Sequence, residues 1–213
     1  MKMKFVGSCA LIGALTAASA ADVATWDDRD SFLLNLGGTA IHDDFETYGI
    51  NVAPGARTLS FNGFDATYDG NDLFGIDDVV NLGHGTGPTS GAQYLLADFG
   101  SQSARSLTFS FSELVSDFGV YIRDVELTSL SYETDSGLSG MAVNLASNDV
   151  IQFFGLTTGG DESLAFSTIT FTMLAQSGTG QDGVMFDQLT YVPTPGSLAL
   201  IGFGGLAMSR RRR

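Results

Sequence analysis

Apolar and polar positions alternate along much of the chain. In Arg105-Ser106-Leu107-Thr108-Phe109-Ser110-Phe111, Leu107, Phe109 and Phe111 share one face of a strand. Phe118, Val120 and Ile122 repeat the pattern, as do Ile169, Phe171 and Met173. Leu164 and Phe166 precede the last group in the opposite parity, which predicts a β-bulge near Ser167. Further strands are predicted over 39–48, 56–61, 64–68, 92–99, 126–134, 139–145, 149–155 and 183–191. Gly-rich turns separate them, among them Asp69-Gly70-Asn71-Asp72, Thr158-Gly159-Gly160-Asp161 and Gly178-Thr179-Gly180. One short helix precedes the strands: Asp27 or Asp28 can cap it, Phe32, Leu33 and Leu36 fall at helical spacing, and Gly37-Gly38 ends it. This spacing of short strands predicts an all-β fold, a jelly-roll-like antiparallel β-sandwich with one short N-terminal helix. A β-solenoid is the alternative, but the sequence has no repeat of fixed period.

The two ends follow other rules. Residues 1–20 have the layout of a secretory signal peptide: Lys2 and Lys4, an apolar run from Phe5 to Ala17, then Ala18-Ser19-Ala20 as the small residues that signal peptidase requires. The one cysteine, Cys9, lies inside this segment, too close to the start for a lipoprotein site. The mature chain therefore lacks disulfides, thiol catalysis and thiolate metal sites. Residues 21–192 form the predicted sandwich domain, long enough to bury a core of its own. Residues 193–213 run Pro193-Thr194-Pro195-Gly196, then an apolar stretch Leu198–Met208, then Arg210, Arg211, Arg212 and Arg213. The apolar stretch, read as a C-terminal hydrophobic helix, has eleven residues, against about 20 in a spanning helix. Its arginines would stay on the cytoplasmic side.

Charge sharpens this division. The formal net charge is −14. Six of the ten basic residues sit at the two ends, and all 24 acids lie between Asp22 and Asp187. The body thus carries four arginines, no lysine and a net −20. That excludes nucleic acid as a partner, since phosphate needs clustered Lys and Arg. It fits an exported domain whose polysaccharide partner is neutral or bridged by calcium.

A proline-bearing motif, a short Gly-rich apolar helix and a terminal Arg cluster, in that order, resemble the PEP-CTERM sorting signal; Thr194 stands where the name motif has Glu. The resemblance implies an exosortase-type sorting enzyme as partner, cleavage near Pro193-Thr194-Pro195, and transient membrane anchoring through the tail. It further implies a Gram-negative cell envelope, surface or extracellular matrix in a biofilm or exopolysaccharide setting. The body resembles the β-sandwich ectodomains attached to such tails, through Asp28-Arg29-Asp30-Ser31-Phe32, Asp44-Phe45-Glu46 and Asp182 to Tyr191. Its last stretch is similar to the closing strand of jelly-roll carbohydrate-binding modules.

Candidate chemistry is sparse. Asp44 and Glu46 lie two apart, which on a strand puts them on one face. The jelly-roll resemblance implies that Asp44, Glu46 and Asp187 supply oxygen ligands to a structural calcium, a partial set for an ion that takes six to eight oxygens. Asp69-Gly70-Asn71-Asp72 and Asp77-Asp78 do not match EF-hand spacing and read as a turn and a charged loop. Tyr121 alternates out of phase with Val120 and Ile122 and is expected to face outward, as a sugar platform would. Trp26 is expected to precede the first strand. His42 and His84 sit in no zinc spacing, no Gly-x-Ser-x-Gly elbow is present, and a Lys-free body has no Schiff base. The reading is a non-catalytic surface or matrix protein associated with exopolysaccharide. A calcium-dependent carbohydrate-binding module is the alternative, and a glycoside hydrolase built on paired carboxylates comes third.

Overall fold

A computed structural model describes residues 23–78, 89–99, 104–125, 129–144, 150–173 and 182–194. Outside these lie Ala18 and Ala20, expected in a signal peptide, Pro195, Gly196 and Arg210 to Arg213, expected in a sorting tail, and His84 and Gly178, expected in a loop and a turn. No helix among the described residues is long and apolar enough to cross a membrane.

In chain order the elements are β1 (Ala24–Trp26), α1 (Arg29–Leu34), β2 (Ile41–Asp43), β3 (Ala53–Pro54), β4 (Arg57–Ser60), β5 (Phe64–Tyr68), β6 (Leu73–Asp78), β7 (Gln93–Phe99), β8 (Arg105–Arg123), β9 (Leu130–Thr134), β10 (Ser139–Val143), β11 (Ile151–Thr157), β12 (Phe166–Met173) and β13 (Asp182–Pro193). All pairings are antiparallel.

The 19-residue β8 holds two sheets together. Its first half lies between β5 and β12, in the order β4-β5-β8-β12-β9-β10, sheet I. Its second half lies between β11 and β13, in the order β1-β11-β8-β13-β7-β6-β3, sheet II, with β2 beside the end of β13. The strand changes parity on the way. Leu107, Phe109 and Phe111 face the core before the crossing, and Phe118, Val120 and Ile122 face it afterwards. Between Ser110 and Val115 the β8 backbone carries extra residues opposite the bulge at Ser167 of β12, where the parity break in the sequence predicts one. Leu114, left at the bend, is exposed.

The core lies between the two inner faces and is dominated by phenylalanine. Phe109 and Phe171 of sheet I meet Phe186 of sheet II at centroid distances of 5.9 and 5.6 Å. Phe118 and Phe154 of sheet II meet Phe171 at 5.9 and 5.6 Å. Each ring removed from water contributes about 1.5–3 kcal/mol, so alternation alone commits the strands to this register.

The outer faces differ. On sheet I one cross-strand row reads Thr58, Thr67, Thr108, Thr170, Glu133. Its hydroxyls pair with one another, Thr58 with Thr67 and Thr108 with Thr170, both at 2.8 Å. On sheet II the outer face is covered. Asp28 caps α1, its Oδ1 accepting from Ser31 N at 2.8 Å. The helix lays Phe32, fully buried, over Gly119 and Gly155, which face each other across β8 and β11. A Cβ on either glycine would stand 2.7–2.8 Å from the Phe32 ring, so both positions need glycine for the helix to seat. Asp117 fixes the chain after the helix by accepting from Gly37 N.

Several expectations are corrected. Strand β2 stops at Asp43; Phe45 has φ 62°, and Asp44 and Glu46 sit in a turn, not on one face of a strand. Asp77-Asp78 closes strand β6 and is no loop: Asp77 is buried and accepts from the Tyr94 hydroxyl. Trp26 lies within a strand, and its indole N–H donates to Thr157 Oγ1 at 3.2 Å.

Candidate functional site

Two clefts open on the outer face of sheet II, on either side of the start of α1. The first, about 460 Å³, has the rings of Tyr121 and Phe153 at its base and Asp27, Asp28, Arg29, Asn144 and Gln152 among its walls. Strand register produces this floor: Phe153 of β11 stands directly opposite Tyr121 of β8. The two rings meet edge-on at 5.2 Å. The Phe153 ring also packs against Phe32 at 5.4 Å, so the helix that covers the sheet braces the floor. Tyr121 is half-buried, its alternation outward as the sequence predicts.

The second cleft, about 270 Å³, is lined by Arg29, His42, Asp43, Asp44, Ser90 and Gln188. Gln188 reaches it because of a bulge. Its φ is 49°, and the β13–β8 register shifts between Asp187 and Thr190. His42 holds Thr190 Oγ1 through Nδ1 at 2.9 Å. Burial, and then the Arg29 charge, push its pKa below the usual histidine value, so it is neutral at pH 7. Asp43 accepts from Phe45 N and from the Tyr48 hydroxyl, on different oxygens. Burial first, and that hydrogen bond next, push Tyr48 up to about 12.

The three acids expected to bind calcium gather at this end of the molecule in another role. Asp187, on the cross-strand row of Phe153 and Tyr121, is buried. Its Oδ2 accepts from Thr89 N, Thr89 Oγ1 and Ser90 N at 2.8, 2.6 and 3.0 Å, and its Oδ1 accepts from Gln188 N at 2.7 Å. Glu46 Oε1 accepts from Ala92 N and Gln93 N, both at 2.7 Å. Asp44 Oδ1 accepts from Glu46 N. Two carboxylates thus hold the segment 89–93, Asp187 at its start and Glu46 at its end, and fix the wall carrying Ser90. As a set these acids do not fit calcium, because both oxygens of Asp187 are already occupied and the ion needs several free oxygens at once. Among the described residues no group of three or more His, Cys, Asp and Glu side chains could hold a metal ion. Burial pushes the Asp187 pKa up, against the pull of its hydrogen bonds from Thr89, Ser90 and Gln188.

Of the residues expected to form a sorting motif, Pro193 and Thr194 are described. Pro193 ends β13 opposite Val115, and Thr194 is buried, its N–H donating to Leu114 O at 2.8 Å. These two residues therefore belong to the folded domain. Arg29, Asn144, Gln152 and Gln188 are site residues that sequence reasoning missed. They come from a helix, a loop and two strands, and nothing in their spacing joins them.

No protein-family model matches the chain, and no curated protein sequence matches it. Among solved structures it is similar to a family 29 carbohydrate-binding module (12% identity, 76% of this chain and 99% of that one covered, TM-score 0.40). It is also similar to a family 29 module from Piromyces equi (9%, 72% and 91%, TM-score 0.36) and to CBM86, a low-affinity xylan-binding module from Roseburia intestinalis (10%, 75% and 98%, TM-score 0.35). Likeness this loose carries no information about function, and the clefts stand on their own geometry.

Proposed function

We propose that the protein is an exported, non-catalytic domain that binds polysaccharide on the outer face of sheet II. The observation that carries this reading is the half-buried Tyr121 ring, propped edge-on by the buried Phe153 and bordered by Asp27, Asp28, Arg29, Asn144 and Gln152. A sugar presents an apolar ring face and a rim of hydroxyls, and needs such an aromatic ring beside donors and acceptors. The open, polar character of the cleft suits a chain passing across it. The acids nearby serve as acceptors for backbone amides, which suits binding better than acid–base work. Calcium has no part in this reading.

In the same proposal residues 1–20 are an export signal, and residues 193–213 are a sorting tail that an exosortase-type enzyme recognises, placing the domain at the cell surface or in an exopolysaccharide matrix. The experiment is a glycan screen of wild type and Tyr121→Ala, with and without calcium. Wild type is expected to retain one or more neutral polysaccharides equally in calcium and in chelator, and Tyr121→Ala to lose them. Retention unchanged by Tyr121→Ala, or absent in wild type, overturns the reading. Mass spectrometry of the protein recovered from the cell exterior tests the ends: both are expected to be missing, and an intact Arg213 end contradicts tail processing.

A further inference from the structure

We infer that Arg29 joins the two clefts into one track and sets its specificity for an uncharged glycan longer than a single sugar. This rests on the polysaccharide reading above and deepens it. Arg29 lines both clefts. Its Nε is buried and has no hydrogen-bond partner. Arg57 and Arg105 likewise have a buried Nε without a hydrogen-bond partner, but Arg57 donates its terminal nitrogen to the carbonyls of Asn51 and Phe74. Arg29 gains nothing from its place in the helix either, since the first turn favours acids over cations. A guanidinium that borders both clefts can turn its terminal donors toward a ligand in either.

The surrounding charge says which ligand. Asp27 and Asp28 stand on one side of Arg29, and Asp43 and Asp44 on the other. A uronate or sulfated chain would meet these carboxylates against one cation, with a body of net −20 behind them. A neutral chain meets acceptors for its hydroxyl protons and, at Arg29, a planar fork of donors for adjacent oxygens. The second cation candidate, His42, is neutral at pH 7 and adds no attraction for acids.

Length follows from the register. Phe153, Tyr121 and Asp187 lie on one row across three strands, about 10 Å end to end. The second cleft, with Ser90 and Gln188 in its wall, lies beyond the start of α1. One sugar covers the ring floor; a chain is needed to pass Arg29 and reach Gln188.

The test is isothermal titration of the full chain with cellohexaose, xylohexaose, mannohexaose and hexagalacturonate, and with the disaccharide of the best neutral ligand. We expect a neutral hexasaccharide to bind, hexagalacturonate not to bind, the disaccharide to bind at least tenfold more weakly, and Arg29→Gln to weaken the hexasaccharide about tenfold while melting like wild type. If Arg29→Gln binds within twofold of wild type while Tyr121→Ala loses binding, the role of Arg29 is overturned and the polysaccharide reading stands. Equal affinity for hexagalacturonate overturns the selectivity, and equal affinity for the disaccharide overturns the track. No binding by any of these to wild type overturns this inference together with the reading beneath it.

Discussion

The outer faces of sheets I and II share β8 and obey the same alternation, yet one is plated with hydroxyls that pair among themselves and the other carries a helix, two rings and a buried acid. On sheet I, Thr108 and Thr170 satisfy each other across the strands, and a β-branched polar residue on a solvated face needs no further purpose. On sheet II the glycines at 119 and 155 give up their own packing so that Phe32 can sit down, and the helix it anchors walls a cleft. A face that is covered can hold side chains in fixed positions, and a fixed arrangement is what binding requires.

Substitutions can break this contrast at several depths. The largest effect is expected from Phe32→Ala, which should cost about 3–5 kcal/mol in chemical denaturation because it empties the seat over Gly119 and Gly155. Asp187→Ala should cost about 2–3 kcal/mol by stranding the amides of Thr89, Ser90 and Gln188, and calcium should leave the Tm of both wild type and variant unchanged. A Tm that rises with calcium in wild type alone would restore the metal role for Asp187. Gly155→Ala should cost about 1–3 kcal/mol through the 2.8 Å approach of its methyl to Phe32. On the other face, Thr108→Val with Thr170→Val should stay within about 0.5 kcal/mol, because both hydroxyls of the pair leave together.

Acidity offers a finer contrast. Asp135, beside sheet I, is pushed up by burial, but hydrogen bonds from Ser167 and Thr168 outweigh this and hold its pKa below the usual value. Its stabilising contribution is present above the unfolded carboxylate pKa, about 4, and is lost as pH falls through the lower folded value. Asp187 is raised by burial, so its contribution is present below about pH 4 and is lost as pH rises through the higher folded value. Denaturation curves from pH 7 to pH 3 should show the stability advantage of wild type over Asp135→Asn shrinking as pH falls. Over the same range its stability relative to Asp187→Asn should improve. Parallel trends for the two variants would remove the contrast.

Most strands, though not β1, β3 or β6, were legible because period-two alternation reports which side of a sheet a residue faces, and the Asp28 cap and the bulge at Ser167 were legible from local chemistry. The continuity of β8 was not, because residues 112–117 break the alternation where the strand passes from one sheet to the other. Asp77 looked like loop because a buried acid satisfied by Tyr94 has the same letter as a solvated one. Asp44 and Glu46 looked like one strand face because spacing does not register the positive φ of Phe45. Tyr121 could be oriented from its neighbours, but the cleft around it brings together residues from positions 27 to 153, and only the fold makes them adjacent.

The central claim is that a neutral glycan lies on the covered face. Backbone amide chemical shifts recorded while titrating the best-binding neutral hexasaccharide test it most directly. The account predicts perturbations concentrated at Arg29, Tyr121, Gln152, Phe153 and Gln188, with Thr67, Thr108 and Thr170 unmoved. Perturbations centred on that threonine row, with Tyr121 and Phe153 unmoved, would contradict it.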